Sequence, residues 1–122
     1  MELRKIAELL HARVLSGLDC LDIQVENAFC CDMMSDVLAF ATNQSVLITG
    51  LLNPQVVRTA MMLDMHCIVF INGKEPTPEI VSLADANDIV IMVTEESMFH
   101  AAGTLFDTGL LNAEEADRKS VV

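Results

Sequence analysis

The sequence predicts an α/β fold, a three-layer α/β/α arrangement with a mostly parallel sheet at its centre. Unbroken aliphatic runs occur at Ser45-Val46-Leu47-Ile48-Thr49, Cys67-Ile68-Val69-Phe70-Ile71 and Asp88-Ile89-Val90-Ile91-Met92-Val93. Each is followed by a helix-start signal: Asn53-Pro54, Thr77-Pro78 and Ser97. Helical apolar spacing then fills the gaps, through Val56, Val57 and Ala60, through Ile80, Val81 and Ala84, and through Met98, Ala101 and Leu105. A sheet with one wet face would alternate apolar and polar residues; continuous Val/Ile runs mean strands covered on both faces, hence parallel neighbours. Each strand-helix-strand crossover is then expected to be right-handed.

Taken in order, residues 2 to 16 place Leu3, Ile6, Ala7, Leu10 and Val14 at three- and four-residue steps, which predicts an amphipathic helix. Gly17 is expected to end it in the left-handed conformation. Leu21, Ile23 and Val25 alternate with polar residues, predicting a half-buried strand, and Ala28 to Cys31 predicts another. Residues 32 to 41 read as a helix, with Asp32 or Ser35 capping its start and Asp36 suited to the positive first turn. The last helix is expected to stop near Gly109.

Length and composition narrow the function classes. A chain of 122 residues is expected to form one domain over 1–122, since no linker, repeat or low-complexity stretch divides it. The tail from about 114 to 122 is polar and is expected to fray. Hydrophobic residues make up 52% but aromatics only 4%, so the core is expected to be aliphatic, with the eight Met as adaptable filler. A formal charge of −11 repels phosphate backbones and anionic lipid, which argues against nucleic-acid and membrane-surface partners. No apolar run is long enough to span a bilayer and the start of the chain does not read as a signal peptide. Cys20, Cys30, Cys31 and Cys67 contain no CxxC pair, and Cys30 and Cys31 point to opposite sides of an extended segment. Free thiols in a reducing cytoplasm are the expectation.

A ligand site in a parallel sheet gathers outside the carboxyl ends of its strands. That places candidates in Thr49-Gly50-Leu51-Leu52-Asn53, Asn72-Gly73-Lys74-Glu75 and Thr94-Glu95-Glu96-Ser97. The candidate ligand-binding residues are Thr49, Gly50, Asn53, Asn72, Gly73, Lys74, Thr94 and Ser97, together with Asp32, Ser35 and Asp36 on the preceding segment. Capping alone explains Asn53, Thr77 and Ser97, and an exposed turn explains Lys74. Glu95 and Glu96 argue against a strongly anionic ligand. Asp32 and Asp36 would share a helical face and could together meet a cation, although a solvated helix start explains them as well.

Catalysis is not expected. No GxxxxGK[ST], GxGxxG or GxSxG segment occurs. His11, His66 and His100 lack a second His at i+4, so there is no zinc-type pair, and no cofactor or metal is called for. Ser97 and His100 are near enough for a local contact, but no orienting acid or oxyanion donor accompanies them.

Several segments taken together resemble the DRTGG domain, an accessory module of phosphotransacetylases and some CBS-domain proteins related to the N-terminal domain of HPr kinase. The resemblance is carried by Asp32-Met33-Met34-Ser35-Asp36-Val37, by Ser45-Val46-Leu47-Ile48-Thr49-Gly50 with Asn53, and by Ile68-Val69-Phe70-Ile71-Asn72-Gly73-Lys74-Glu75-Pro76. Thr94-Glu95-Glu96-Ser97-Met98-Phe99 with Ala102-Gly103 and Leu105 completes it. Leu51-Leu52-Asn53-Pro54 stands where the family's naming Asp-Arg-Thr is expected, and the Gly-Gly is reduced to Asn72-Gly73. What the resemblance implies is an HPr kinase N-terminal-domain-like fold and a non-catalytic regulatory or ligand-sensing module. It implies self-association, with a homodimer as the expected partner, beside a small-molecule ligand. An assembly subunit docking on a partner enzyme is the alternative.

Overall fold

The computed structural model describes residues 1–112. In chain order it contains α1 (Leu3–Leu9), β1 (Arg13–Val14), a short 3-10 turn (Leu18–Cys20), β2 (Asn27–Cys30), α2 (Met34–Phe40) and β3 (Ser45–Thr49). Then follow α3 (Pro54–Met62), β4 (Cys67–Phe70), α4 (Pro78–Ala86), β5 (Val90–Val93), α5 (Met98–Asp107) and β6 (Leu111–Asn112). The sheet runs β1-β5-β4-β3-β2-β6, with every pairing parallel except that of β1 with β5.

The central strands are buried along their whole length, as their unbroken aliphatic sequence requires. Phe29, Leu47, Ile68 and Ile91 form one cross-strand row, and Cys30, Ile48, Val69 and Met92 the next. The first row packs beneath α2, α3 and α4 through Val37, Val56, Val57, Ala60, Ile80 and Ala84. The second packs beneath α1 and α5 through Leu3, Ile6, Ala101 and Leu105. Each fully buried aliphatic side chain contributes roughly 1.5–3 kcal/mol of burial, so both layers are held by the same force. The sequence-based expectation of a three-layer α/β/α fold therefore holds.

Asn53 and Thr77 cap α3 and α4 with their side-chain oxygens, and Pro54 and Pro78 occupy the first turn, where no amide is needed. Helix ends follow one device. His11, Asp64, Asp88 and Gly109 have φ of 50°, 54°, 56° and 98°. The next amide in each case returns to a carbonyl five residues back: Ala12 to Ala7, Met65 to Ala60, Ile89 to Ala84 and Leu110 to Leu105. These bonds satisfy carbonyls that a helix end leaves open.

Four expectations are corrected. The helix predicted over 2 to 16 ends at Leu9, because His11 turns the chain left-handed and Arg13 and Val14 pair with Val93 and Met92 as an edge strand. Gly17 is left-handed (φ 68°) but opens the 3-10 turn rather than closing a helix. A side chain there would come within 3.0 Å of the Val90 Cα, so only glycine fits. Leu21 to Val25 form no strand. Their carbonyls instead cap α1, Leu3 N donating to Ile23 O at 3.0 Å and Arg4 N to Leu21 O at 3.1 Å, beside a lone bridge from Glu2 to Gln24. Finally, neither Asp32 nor Ser35 caps α2, whose first residue is Met34.

The core is aliphatic as expected, but the aromatics and Met divide. Phe29 and Phe70 are buried, whereas Phe40, Phe99 and Phe106 are exposed. Met65 and Met92 fill the core, while Met33, Met61 and Met62 lie on the surface. The tail predicted over about 114 to 122 lies outside the described residues.

Candidate functional site

The carboxyl ends of β2, β3, β4 and β5 lie side by side and gather most of the expected rim residues. Asp32, just past β2, accepts hydrogen bonds on Oδ1 from the Thr49 hydroxyl and the Gly50 amide, each at 2.8 Å. This explains why Asp32 does not cap α2: β3 offers it two donors at once. The Thr49 oxygen in turn accepts from Leu51 N at 3.2 Å. Lys74 Nζ reaches the Gly50 carbonyl at 3.4 Å, so the β4 loop leans over the β3 loop.

Chains leaving β2, β3 and β4 enter helices of one layer, while the chain leaving β5 enters α5 in the other. The loops after β4 and β5 therefore part in opposite directions, which is where open α/β sheets place ligands. The two loops are stitched at their base by Asn72 N to Glu96 O at 2.9 Å and Gly73 N to Thr94 O at 2.8 Å. Asn72 and Gly73 both have positive φ, 58° and 64°. A side chain on Gly73 would meet only the carboxyl end of the exposed Glu95, which can swing aside, so glycine is favoured there for its conformation. Gly50 has no such need, since a Cβ there would make ordinary contacts with Ile71 and Asp32. The Thr94 hydroxyl is buried, donating to Leu10 O at 2.7 Å and accepting from Glu96 N at 3.2 Å.

Charge at the rim is mixed and net negative. Asp32, Glu75, Glu95 and Glu96 stand against Arg13 and Lys74, with Arg13 paired to Glu75. His100 Nδ1 lies 3.6 Å from Glu96 Oε2. Such a rim suits a neutral polar or cationic group better than a polyanion.

The other predicted residues are placed differently. Ser35 and Asp36 lie in the first turn of α2, outside this hydrogen-bonded set, and Asp32 precedes the helix, so the expected Asp32–Asp36 helical face does not form. Asn53 accepts from Gln55 N at 2.8 Å and Ser97 from His100 N at 3.2 Å. The Ser97–His100 contact is thus a helix cap made by a main-chain amide, not a pairing with the imidazole.

A concavity lies elsewhere, at the β2–β6 edge beside α5. It is an open apolar hollow of about 500 Å³, lined by residues that include Ala28, Cys30, Phe99, Gly103 and Phe106. Burial, with the neighbouring Cys31 adding to it, pushes the Cys30 thiol up to about 11. Burial likewise raises the Cys67 thiol. Cys30 packs into one layer and Cys31 into the other, as their adjacency in an extended strand predicts. No helix among the described residues is long and apolar enough to cross a membrane.

The family profile described as the DRTGG domain matches residues 5–107. The chain belongs to the DRTGG domain family. Comparison with curated proteins finds no significant match. Among solved structures, the DRTGG chain is similar to the CBS and DRTGG domains of the regulatory region of Clostridium perfringens pyrophosphatase, a structure complexed with its activator, diadenosine tetraphosphate. The TM-score is 0.74 at 18% identity, over 93% of this chain and 49% of that one, so the likeness is one of fold and the chain spans about half of that structure's length. Of the residues that carry the sequence resemblance to DRTGG domains, Asp32, Thr49, Gly50 and Lys74 are joined by hydrogen bonds at the rim, whereas Ser35, Asp36 and Asn53 lie outside that set.

Two features of this DRTGG chain escaped sequence reasoning. Arg13 reaches the rim because β1 runs antiparallel along β5, a placement that its helical spacing hides. Phe99 and Phe106 are the most exposed aromatics of the chain; their spacing on α5 was visible, but helical periodicity alone does not say which face is covered.

Proposed function

We propose that this DRTGG chain is a non-catalytic regulatory module that senses a small molecule at the β4–β5 rim and works as a self-associated subunit in the cytoplasm. The observation that carries the reading is the convergence of Asp32, Gly50, Gly73, Lys74 and Glu95 from the four successive loops that follow β2, β3, β4 and β5, beside the point where the β4 and β5 exits diverge. Backbone turns held left-handed at Asn72 and Gly73, with a carboxylate and an ammonium nearby, present both donors and acceptors to one small polar ligand. Membership of a family also found in an enzyme's regulatory region supports a regulatory part over a catalytic one. The rim's charge makes neutral and cationic metabolites the first compounds to try, and the pyrophosphatase region's complex with diadenosine tetraphosphate adds nucleotides to the panel.

The test is a thermal-shift panel on the full chain, followed by Lys74→Ala and Glu95→Gln. A ligand at 100 times its dissociation constant stabilises by about 2.7 kcal/mol, and the two variants are expected to lose that shift while melting normally without ligand. A panel that shifts nothing, or a shift indifferent to both variants, removes the rim from the proposal. The second reading, docking on a partner enzyme, is favoured by the exposed apolar hollow. A stable complex with no small-molecule response would select it.

A further inference from the structure

Gly103 sits in the middle of α5, where glycine costs a helix about 1 kcal/mol relative to alanine. Nothing among the described residues requires it. Its φ is not positive, and a methyl group built there would meet no atom within 4 Å. Gly103 lies four residues after Phe99 and three before Phe106, so all three share one helix face. That face is turned outward: Phe99 is 83% exposed and Phe106 67%. Both rings and the glycine border the apolar hollow of about 500 Å³ at the β2–β6 edge. Around the same edge, Phe40, 46% exposed, lies 6.3 Å from Phe29 between ring centroids.

We propose that this face is the seat of a second copy of the chain, related by a two-fold axis near Gly103, with Phe99 and Phe106 of each copy entering the hollow of the other. The proposal rests on the self-association reading above and adds the surface that performs it. Charge selects the occupant. Two chains that each carry a formal charge of −11 repel, and they can pack without burying acids only through a patch that has none. Among the described residues, none that lines the hollow is charged. A basic partner protein would be drawn instead to the acidic faces, so this neutral patch does not suit it.

Shape agrees. A two-fold interface must be self-complementary, and this one carries both projecting rings and the space to receive them. An apolar cavity of roughly 150 Å³ accepts a benzene ring, so the hollow has room for two. Area is also adequate. A buried Phe covers about 150–250 Å², so Phe99 and Phe106 at their exposures offer roughly 300 Å², before Phe40 and the hollow's walls are counted. That is a large share of the roughly 800 Å² per partner of an ordinary interface. Gly103 then has its reason: without a side chain it lets the facing helix approach.

Sedimentation velocity on the full chain over a wide concentration range tests this, with circular dichroism confirming the fold of each variant. The wild type is expected to dimerise, and Phe99→Asp with Phe106→Asp to weaken dimerisation at least about 100-fold. Gly103→Leu, which fills the hollow without adding charge, is expected to do the same and decides the matter if the double variant misfolds. Gly103→Ala gives opposite signs in one molecule: a more stable helix and a weaker dimer. A dimer untouched by these variants overturns the surface and leaves self-association standing. A wild type that stays monomeric overturns the self-association reading itself, while the rim's ligand test stands apart. A monomer that takes up an apolar dye, lost in Gly103→Leu, assigns the hollow to a small apolar ligand and likewise overturns the proposal.

Discussion

The Asp32 carboxylate accepts a hydrogen bond from the Thr49 hydroxyl at 2.8 Å, tying the exit of β2 to the exit of β3. The same oxygen takes the Gly50 amide at 2.8 Å, so one acid orients both the β3 loop and the carbonyl that Lys74 reaches. Asp32→Ala is expected to cost about 1–2 kcal/mol in urea denaturation. Asp32→Asn keeps an acceptor oxygen and should lose less than half as much. Equal losses would mean that the carboxylate's bonds do not organise the rim.

Ser16 is buried and bridges two positions of the sheet, its hydroxyl donating to Ile89 O at 2.8 Å and accepting from Ile91 N at 2.9 Å. It replaces a ladder partner where the edge strand has ended. Each buried backbone group left unpaired costs about 1–3 kcal/mol, so Ser16→Ala should destabilise by at least about 2 kcal/mol. A melting temperature unchanged in Ser16→Ala would refute the bridging role.

Thr59 on α3 is fully buried, and its hydroxyl has no hydrogen-bond partner among the described residues. Thr59→Val keeps the shape and removes the unpaired oxygen. A gain of about 1 kcal/mol in unfolding free energy is expected, read by chemical denaturation. A loss instead would show that the hydroxyl is satisfied in solution.

Asp64, exposed at the end of α3, holds φ at 54° and puts an acid near the negative end of the helix. Asp64→Gly relieves both and is expected to raise stability by about 0.5–1 kcal/mol. The glycine's greater freedom in the unfolded chain offsets part of the gain. Destabilisation would show that the Asp side chain makes a bond worth more than the strain.

Two thiols, the half-buried Cys30 and the buried Cys67, set the response to alkaline pH. With Cys30 raised to about 11 from 9.0, its thiolate fraction at pH 8 is about 100-fold below that of an unperturbed thiol. Alkylation of native protein at pH 8 should be slow at Cys30 in that proportion and should spare Cys67. The folded chain holds the Cys30 proton more tightly than the unfolded one, so its contribution to stability is whole below about pH 9 and falls as pH rises from 9 towards 11. Fast labelling of Cys67 in folded protein would contradict its burial, and fast labelling of Cys30 would contradict its raised thiol.

The sequence by itself determined the three aliphatic strands, the caps at Asn53, Thr77 and Ser97, and the sandwiched sheet. These follow from local chemistry, because an unbroken Val/Ile run needs cover on both faces and a cap bonds within three residues. Tertiary structure decided the rest. Val14 suits a helix face as well as a strand, and only the unpaired edge of β5 drew it into the sheet. Asp32 could cap α2 or join β3, and two donors at Thr49 and Gly50 outweighed one. Which face of α5 stays bare was likewise settled by where the sheet ends, since periodicity marks an apolar face without saying what covers it.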